Sequence, residues 1–150
     1  MIERILVAVD DTPDSLAAAR LAIELTNALH AQLRVVHVSP DHVLDAALEA
    51  ASRTPSVAVR RARAASAVLT WVTNQAAAAG IGADTQLLGG DAGPAVLDAA
   101  HQWHADLVIV GKSARAARGE PYVGTQSRHI LEFSDQPVLV VPPPLAVPSG

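Results

Sequence analysis

The residues best suited to chemistry lie in one stretch, 111–127, which reads GKSARAARGEPYVGTQS. Glycines let a backbone come close to phosphate oxygens, and hydroxyl and cationic side chains can bind them. The first letters match the end of a P-loop, G-x-x-x-x-G-K-[ST], but Asp106 stands where the glycine five residues before Gly111 is required. The stretch is therefore not a P-loop, and its chemistry depends on the elements that position it.

Composition limits the classes of protein to which the chain can belong. Its 150 residues suffice for one domain with a substantial core, and half of them are apolar. A formal net charge of −4 and scattered arginines argue against a nucleic-acid partner. The absence of cysteine excludes disulfides, thiolate metal sites and thiol catalysis. The charged amino terminus, with its short apolar run, predicts neither a signal peptide nor a membrane-spanning helix, and we expect a cytoplasmic protein without a membrane partner.

Short apolar runs alternate with helical patterns along the chain. Continuous valine, isoleucine and leucine, without polar residues between them, are typical of strands buried on both faces of a parallel sheet. The predicted strands are residues 5–9, 33–38, 83–88, 107–110 and 138–141.

The first predicted helix has a clear start and a clear apolar stripe. Thr12 can cap it, and Pro13 falls where a helix needs no amide hydrogen. Residues at helical spacing predict its buried face: Ala18, Leu21, Ala22, Leu25, Ala28 and Leu29.

Three more helices are predicted, over 56–79, from near Pro94 to Trp103, and from just after Gly124 to near Phe133. A further short helix is possible over 43–51. Residues 1–142 are predicted to form the domain, and the proline-rich residues 143–150 a tail outside it.

Five parallel strands joined by right-handed crossovers favour the order 3-2-1-4-5, an α/β fold with one open sheet and helices on both faces. The strand order reverses between strands one and four. Ligands of such sheets bind at that reversal, outside the carboxyl ends of the strands. The loops that begin at Asp10 and at Gly111 should therefore meet at a binding crevice.

Three segments of the chain match the pattern of a known family: ILVAVDDTPDS, GGDAGPAVLDAAHQWHADLVIVG and HILEFSDQPVLVVP. On these segments the chain resembles the universal stress protein family over nearly its whole length. In the ATP-binding branch of that family, the loop after strand four reads G-x-x-G, nine residues, then G-[ST]. Gly111, Ala114 and Gly124-Thr125 reproduce this spacing, with alanine in place of the second glycine.

The resemblance implies a Rossmann-like, adenine nucleotide alpha hydrolase-like domain that binds ATP with Mg²⁺ or Mn²⁺. It implies a regulatory or stress-response factor with slow or no hydrolysis. Asp10 would contact the ribose or the metal, and Val38 the adenine base through its backbone. The other implied binding residues are Gly111, Ala114, Arg115, Gly124, Thr125, Gln126 and Ser127. The amides at the start of the last helix would bind the phosphates.

Other interpretations of these residues stay open. The loop can be a turn that only caps the last helix, since a methyl group at Ala114 costs about 1 kcal/mol if φ there must be positive. The protein would then be a dimeric interaction module that binds no nucleotide. A phospho-acceptor receiver domain also has acids after its first strand, but it needs a lysine after strand five, where this chain has VPPP.

Two histidine arrangements are weaker candidates for chemistry. Asp98, His101 and His104 are spaced three residues apart, so on a helix they do not share one face. They can supply at best two metal ligands. Ser127 and His129 lie two apart on a helix, which does not bring them face to face, and no nucleophile elbow is present. His37 is interpreted as a packed residue at the rim of the crevice.

The last strand, Val138 to Val141, is predicted to lie at the edge of the sheet. An exposed apolar edge promotes aggregation unless something covers it. The resemblance implies that the same strand of a second subunit covers it, which makes a homodimer. The alternative is a monomer in which residues 145–147 fold over the edge.

Overall fold

A computed structural model of the chain describes residues 1–10, 12–39, 57–112 and 125–143. The strands are β1 (Arg4–Ala8), β2 (Gln32–Ser39), β3 (Ala83–Gly89), β4 (Leu107–Gly111) and β5 (Val138–Val141). The helices of the described part are α1 (Pro13–Leu29), α2 (Val57–Ala78), α3 (Ala92–Trp103) and α4 (Thr125–Phe133). The strands form one parallel sheet in the order β3-β2-β1-β4-β5, which confirms the predicted fold class and topology.

The central strands are buried on both faces, which explains their continuous apolar sequence. Ile5 and Val7 of β1 belong to a core shared with α1 and α2. Leu6, between them, belongs to a second core shared with α3 and α4. Successive side chains of a strand point to opposite faces, so a strand with a helix layer on each side needs apolar residues at every position.

Helix α1 begins as predicted, but its buried face is different. Thr12 is the N-cap, and its Oγ1 accepts a hydrogen bond from the Ser15 amide at 3.4 Å. Of the predicted stripe, Ala28 and Leu29 are exposed, and Leu21 and Leu25 are only half buried. The buried face instead consists mainly of small residues: Ser15, Ala18, Ala19, Ala22, Ile23 and Thr26. Close approach of the helix backbone to the sheet selects these small side chains, whereas the prediction placed the face by its leucines.

The other boundaries differ from the predictions by a few residues. Helix α3 begins at Ala92 and not near Pro94, which is the third residue of the helix. Proline fits there because the amides of the first turn have no partner within the helix. The short helix considered for 43–51 and the tail from residue 144 lie outside the described residues. In the part of the chain that is described, no helix has the length and hydropathy needed to cross a membrane.

At the amino edge of the sheet, Asp106 joins β4 to β1. Its carboxylate accepts hydrogen bonds from the backbone amides of Glu3, at 2.8 Å, and Arg4, at 3.0 Å. These bonds favour the ionised form and lower the pKa of Asp106 from its ordinary value. Beside it, the guanidinium groups of Arg4 and Arg34 lie 5.9 and 4.6 Å from the ring centre of Trp103.

The second tryptophan lies on the other side of the sheet. Trp71, in α2, packs against the core shared by α1 and α2, and Arg20 of α1 lies 5.4 Å from its ring centre. Each helix layer therefore contains one tryptophan in contact with arginine.

Candidate functional site

A crevice opens at the carboxyl ends of β1 and β4, where the strand order reverses. The described residues enclose a cavity of about 90 Å³ there. Five of the residues predicted to bind a ligand line it: Asp10, Val38, Gly111, Gln126 and Ser127. They come from four parts of the chain's described structure, so the fold brings together residues that are far apart in sequence. Ala114, Arg115 and Gly124 lie outside the described residues, and Thr125 is the first residue of α4.

Asp10 is held in a fixed orientation at the mouth of the crevice. Its Oδ1 accepts hydrogen bonds from the backbone amide of Thr12, at 2.8 Å, and from the Thr12 hydroxyl. Its own amide donates to Ser15 Oγ at 2.6 Å. An aspartate that binds its own chain two residues on is typical of the turn that starts a helix. Both Thr12 contacts fall on Oδ1 and therefore leave the second oxygen, Oδ2, without a bond to Thr12.

Gly111 has a packing role that the sequence analysis missed. A Cβ added there would lie 2.8 Å from the Ser15 amide nitrogen and 2.9 Å from the carbonyl carbon of Asp14. Those atoms belong to the backbone of the first turn of α1. The glycine that was predicted to admit phosphate thus also lets α1 pack against the end of β4.

Ser127 fastens the start of α4 to the same strand. Its side chain is buried, with 4% of its surface exposed, and its Oγ donates a hydrogen bond to the Gly111 carbonyl at 2.8 Å. The hydroxyl proton, which was expected to be a donor to phosphate, is directed to the protein here. Ser127 therefore positions the first turn of α4 at the crevice.

Gln126 links the start of α4 to the start of α3. Its Oε1 accepts a hydrogen bond from the Gly93 amide at 2.7 Å. Asp91, the N-cap residue of α3, makes no side-chain capping bond, so Gln126 satisfies an amide of α3 from outside the helix. Neither Gly93 nor Ser15 was a candidate on sequence, because their importance depends on distances between elements.

The rim of the crevice is formed by the end of β2. Val38 is half buried and lines the cavity. The neighbouring His37 has its Nδ1 at 2.8 Å from the Val9 carbonyl oxygen, and since a carbonyl only accepts, Nδ1 donates. His37 thus joins β2 to the end of β1, in agreement with its interpretation as a packed rim residue.

The weaker candidates have other surroundings. His104 follows the end of α3 with a φ of 58°, which takes it out of the helical row of Asp98 and His101. The ring of His129 stacks against Phe133 with 4.7 Å between centroids. No group of three histidine, aspartate or glutamate side chains suited to a metal is found in the described ranges.

A larger depression, of about 360 Å³, lies at the opposite edge of the sheet. It is bounded by the ends of α1 and α2 and includes Asn27, His30 and Asp84. The amino ends of parallel strands are not where such sheets bind their ligands. The smaller crevice therefore remains the candidate site.

Comparison with known proteins defines the class of this domain. The model of the universal stress protein family matches residues 1–142. A protein of Thermus aquaticus, named universal stress protein in QAH/OAS sulfhydrylase 3'region, is 31% identical over 144 residues, covering 94% of this chain and 99% of its own. The chain belongs to the universal stress protein family.

Solved structures of universal stress proteins share the fold. One from Archaeoglobus fulgidus, in complex with dAMP, has a TM-score of 0.68 at 21% identity, over 94% of this chain and 99% of its own. Another, in complex with cAMP, has a TM-score of 0.69 at 20% identity, over 93% of this chain and 96% of its own. At this level of identity the likeness establishes the fold.

Proposed function

We propose that this protein is a cytoplasmic regulatory or stress-response factor that binds ATP, or a related adenine nucleotide, in the crevice between β1 and β4. The proposal rests on one observation. Asp10 and the first turn of α4 line the same crevice, at the point where the strand order reverses. The dAMP and cAMP complexes of proteins with this fold support an adenine nucleotide as the ligand.

Two parts of the crevice would bind different parts of a nucleotide. Val38, Val96 and Ile130 give it an apolar wall against which a base can be buried. The start of α4 provides backbone amides and the positive end of the helix dipole, which favour phosphate. The further contacts proposed, Ala114, Arg115, Gly124 and Thr125, rest on the spacing of the loop sequence.

Asp10 suits a divalent cation that accompanies the phosphates. Mg²⁺ and Mn²⁺ prefer oxygen ligands, and Mg²⁺ commonly takes one or two carboxylates together with substrate phosphates and water. The Thr12 bonds orient the carboxylate and leave Oδ2 for such an ion. A bound cation would offset the charge of the phosphates.

The crevice favours binding over turnover. Among the described residues that line it, Asp10 is the only side chain with an acidic or basic group. An oriented carboxylate that is committed to a cation cannot also act as a general base on water. We therefore expect hydrolysis of ATP to be slow or absent.

Mass spectrometry of the small molecules released when the purified protein is denatured tests the proposal directly. We expect an adenine nucleotide, and we expect titration calorimetry of the nucleotide-free protein to show binding of ATP or AMP. A protein that releases no nucleotide and binds neither compound would overturn the proposal.

A second candidate function is a dimeric interaction module that binds no nucleotide. The observation that favours it is the exposed apolar surface of α4, where Leu131 is 45% and Phe133 is 63% exposed. Such side chains on a surface helix suit a protein contact. The same calorimetry separates the two functions, since the module would form dimers but give no heat with nucleotide.

A further inference from the structure

The first turn of α4 is fastened to two neighbouring elements. Ser127 binds the Gly111 carbonyl at the end of β4, at 2.8 Å, and Gln126 binds the Gly93 amide in the first turn of α3, at 2.7 Å. The two residues are adjacent in sequence but bind elements on either side of the crevice. Together they fix the helix end in position and in rotation.

The contact between Gln126 and Gly93 depends on features of both residues. A Cβ at Gly93 would lie 2.9 Å from Gln126 Oε1 and 2.9 Å from His129 Cδ2, so an added methyl group would displace these side chains. Helices α3 and α4 therefore meet at this point with the Gly93 backbone against the Gln126 side chain. Since Asp91 makes no side-chain capping bond, the amide of Gly93 depends on Gln126 for a partner.

The position of this turn matters because of how a helix end binds an anion. The amides of the first turn and the helix dipole act over a short range, which falls off within about one turn. A shift of the turn by a fraction of an ångström would weaken the contact with a phosphate but would leave in place Val38 of β2 and Val96 of α3, two of the three residues of the apolar wall.

We infer that Gln126 is a positioning residue for the phosphate of a bound nucleotide, acting through its side-chain bond to Gly93 and not through contact with the ligand. The inference rests on the proposed function and assigns the Gln126 side chain a role that the loop motif does not supply. The Gln126 main chain remains part of the anion-binding turn. The specific consequence is that the bond affects affinity for AMP and not affinity for adenosine.

The test compares AMP and adenosine binding to the full chain and its variants by titration calorimetry. Gln126→Met keeps the length of the side chain and removes the acceptor. Gly93→Ala disrupts the same hydrogen bond by a change in α3. Glu132→Gln, at an exposed position later in α4, is the control. We expect each of the first two variants to bind AMP about three- to tenfold more weakly, the range that a neutral hydrogen bond contributes.

The pattern among variants distinguishes positioning from general destabilisation. We expect the affinity of both variants for adenosine to stay within about twofold of wild type. The double variant should bind AMP no more weakly than the single variant with the lower AMP affinity, because both changes break the same bond. Unchanged AMP affinity of Gln126→Met, or an equal loss for adenosine, would overturn the inference alone. A wild-type protein that binds no nucleotide would overturn it together with the proposed function.

Discussion

At the scale of single residues, Gly111 controls how closely α1 approaches β4. An alanine methyl group there would meet the backbone of Asp14 and Ser15 at 2.8 to 2.9 Å, and a helix start cannot move aside as a flexible side chain can. We expect Gly111→Ala to lower the free energy of unfolding by about 1–3 kcal/mol, the usual cost of overpacking, in the absence of any ligand. Urea denaturation measures this change.

Gly82 provides a matched control for this prediction. A Cβ at Gly82 would meet no atom within 4 Å, and its φ is not in the left-handed region. Gly82→Ala should therefore leave stability unchanged or raise it slightly. Equal unfolding midpoints for the two variants would show that the contact of Gly111 with α1 is looser than the structure indicates.

Asp10 and its sequence neighbour Asp11 offer a second prediction at this scale. Asp10 lines the crevice and its carboxylate is oriented by Thr12. We expect Asp10→Ala to weaken nucleotide binding more than Asp11→Ala, in calorimetry carried out with Mg²⁺ present. Thr12→Val, which removes the hydroxyl that orients the carboxylate, should have an intermediate effect. The reverse order of the two aspartates would mean that a different acid contacts the ligand.

At the scale of elements, Asp106 ties the start of β4 to the start of β1 and gives stability a pH dependence. Amides of Glu3 and Arg4 donate to its carboxylate and lower its pKa in the folded protein below 3.8. Because the folded pKa is the lower one, the contribution is present above pH 3.8 and is lost as the pH falls through the folded pKa.

Thermal unfolding of Asp106→Asn at several pH values tests this assignment. We expect the variant to have a lower Tm than wild type at pH 7 and pH 5, by a similar amount, because the carboxylate is ionised at both. Below about pH 4 the difference should shrink as the wild-type carboxylate takes up a proton. A difference that stays constant down to pH 2 would show that Asp106 contributes by shape and not by charge.

The elements also show what the sequence could and could not predict. Strands β1 and β4 were predictable because a strand buried on both faces needs an apolar residue at each position. That Asp10 and Gly111 lie at one crevice could be predicted from the point at which the strand order reverses. The predicted buried face of α1 was right at Ala18 and Ala22 and wrong at Ala28 and Leu29, because leucine spacing does not reveal how closely the helix approaches the sheet. Gly93 and Ser15 could not be found, since their roles depend on gaps of a few ångströms between elements.

At the scale of the whole molecule, the edge strand β5 predicts a homodimer. Three of its four residues, Val138, Leu139 and Val140, are only half buried, and among the strands of the described ranges β5 pairs with β4 alone. Pairing with the same strand of a second subunit would give hydrogen-bond partners to the unpaired backbone groups at the edge of both strands. Pro142 and Pro143, which lack amide hydrogens, would end the pairing after Val141.

Light scattering on the full chain and on a chain that ends at Pro142 tests the dimer. We expect both to have twice the mass of one chain, because the contact is made by the strand. A full chain that is monomeric, and that associates only when the tail is removed, would favour the alternative in which residues 145–147 cover the edge.

The two tryptophans have a spectroscopic consequence. Trp71 lies in the α1 and α2 layer, Trp103 lies in the other layer, and the sequence has no third tryptophan. Replacing one of them by phenylalanine leaves a single tryptophan, whose emission reports on one side of the sheet. Emission from Trp71 and Trp103 can therefore follow the unfolding of the two helix layers separately. Coincident curves would mean that the layers unfold as one cooperative unit, and separated curves would mean that they unfold in sequence.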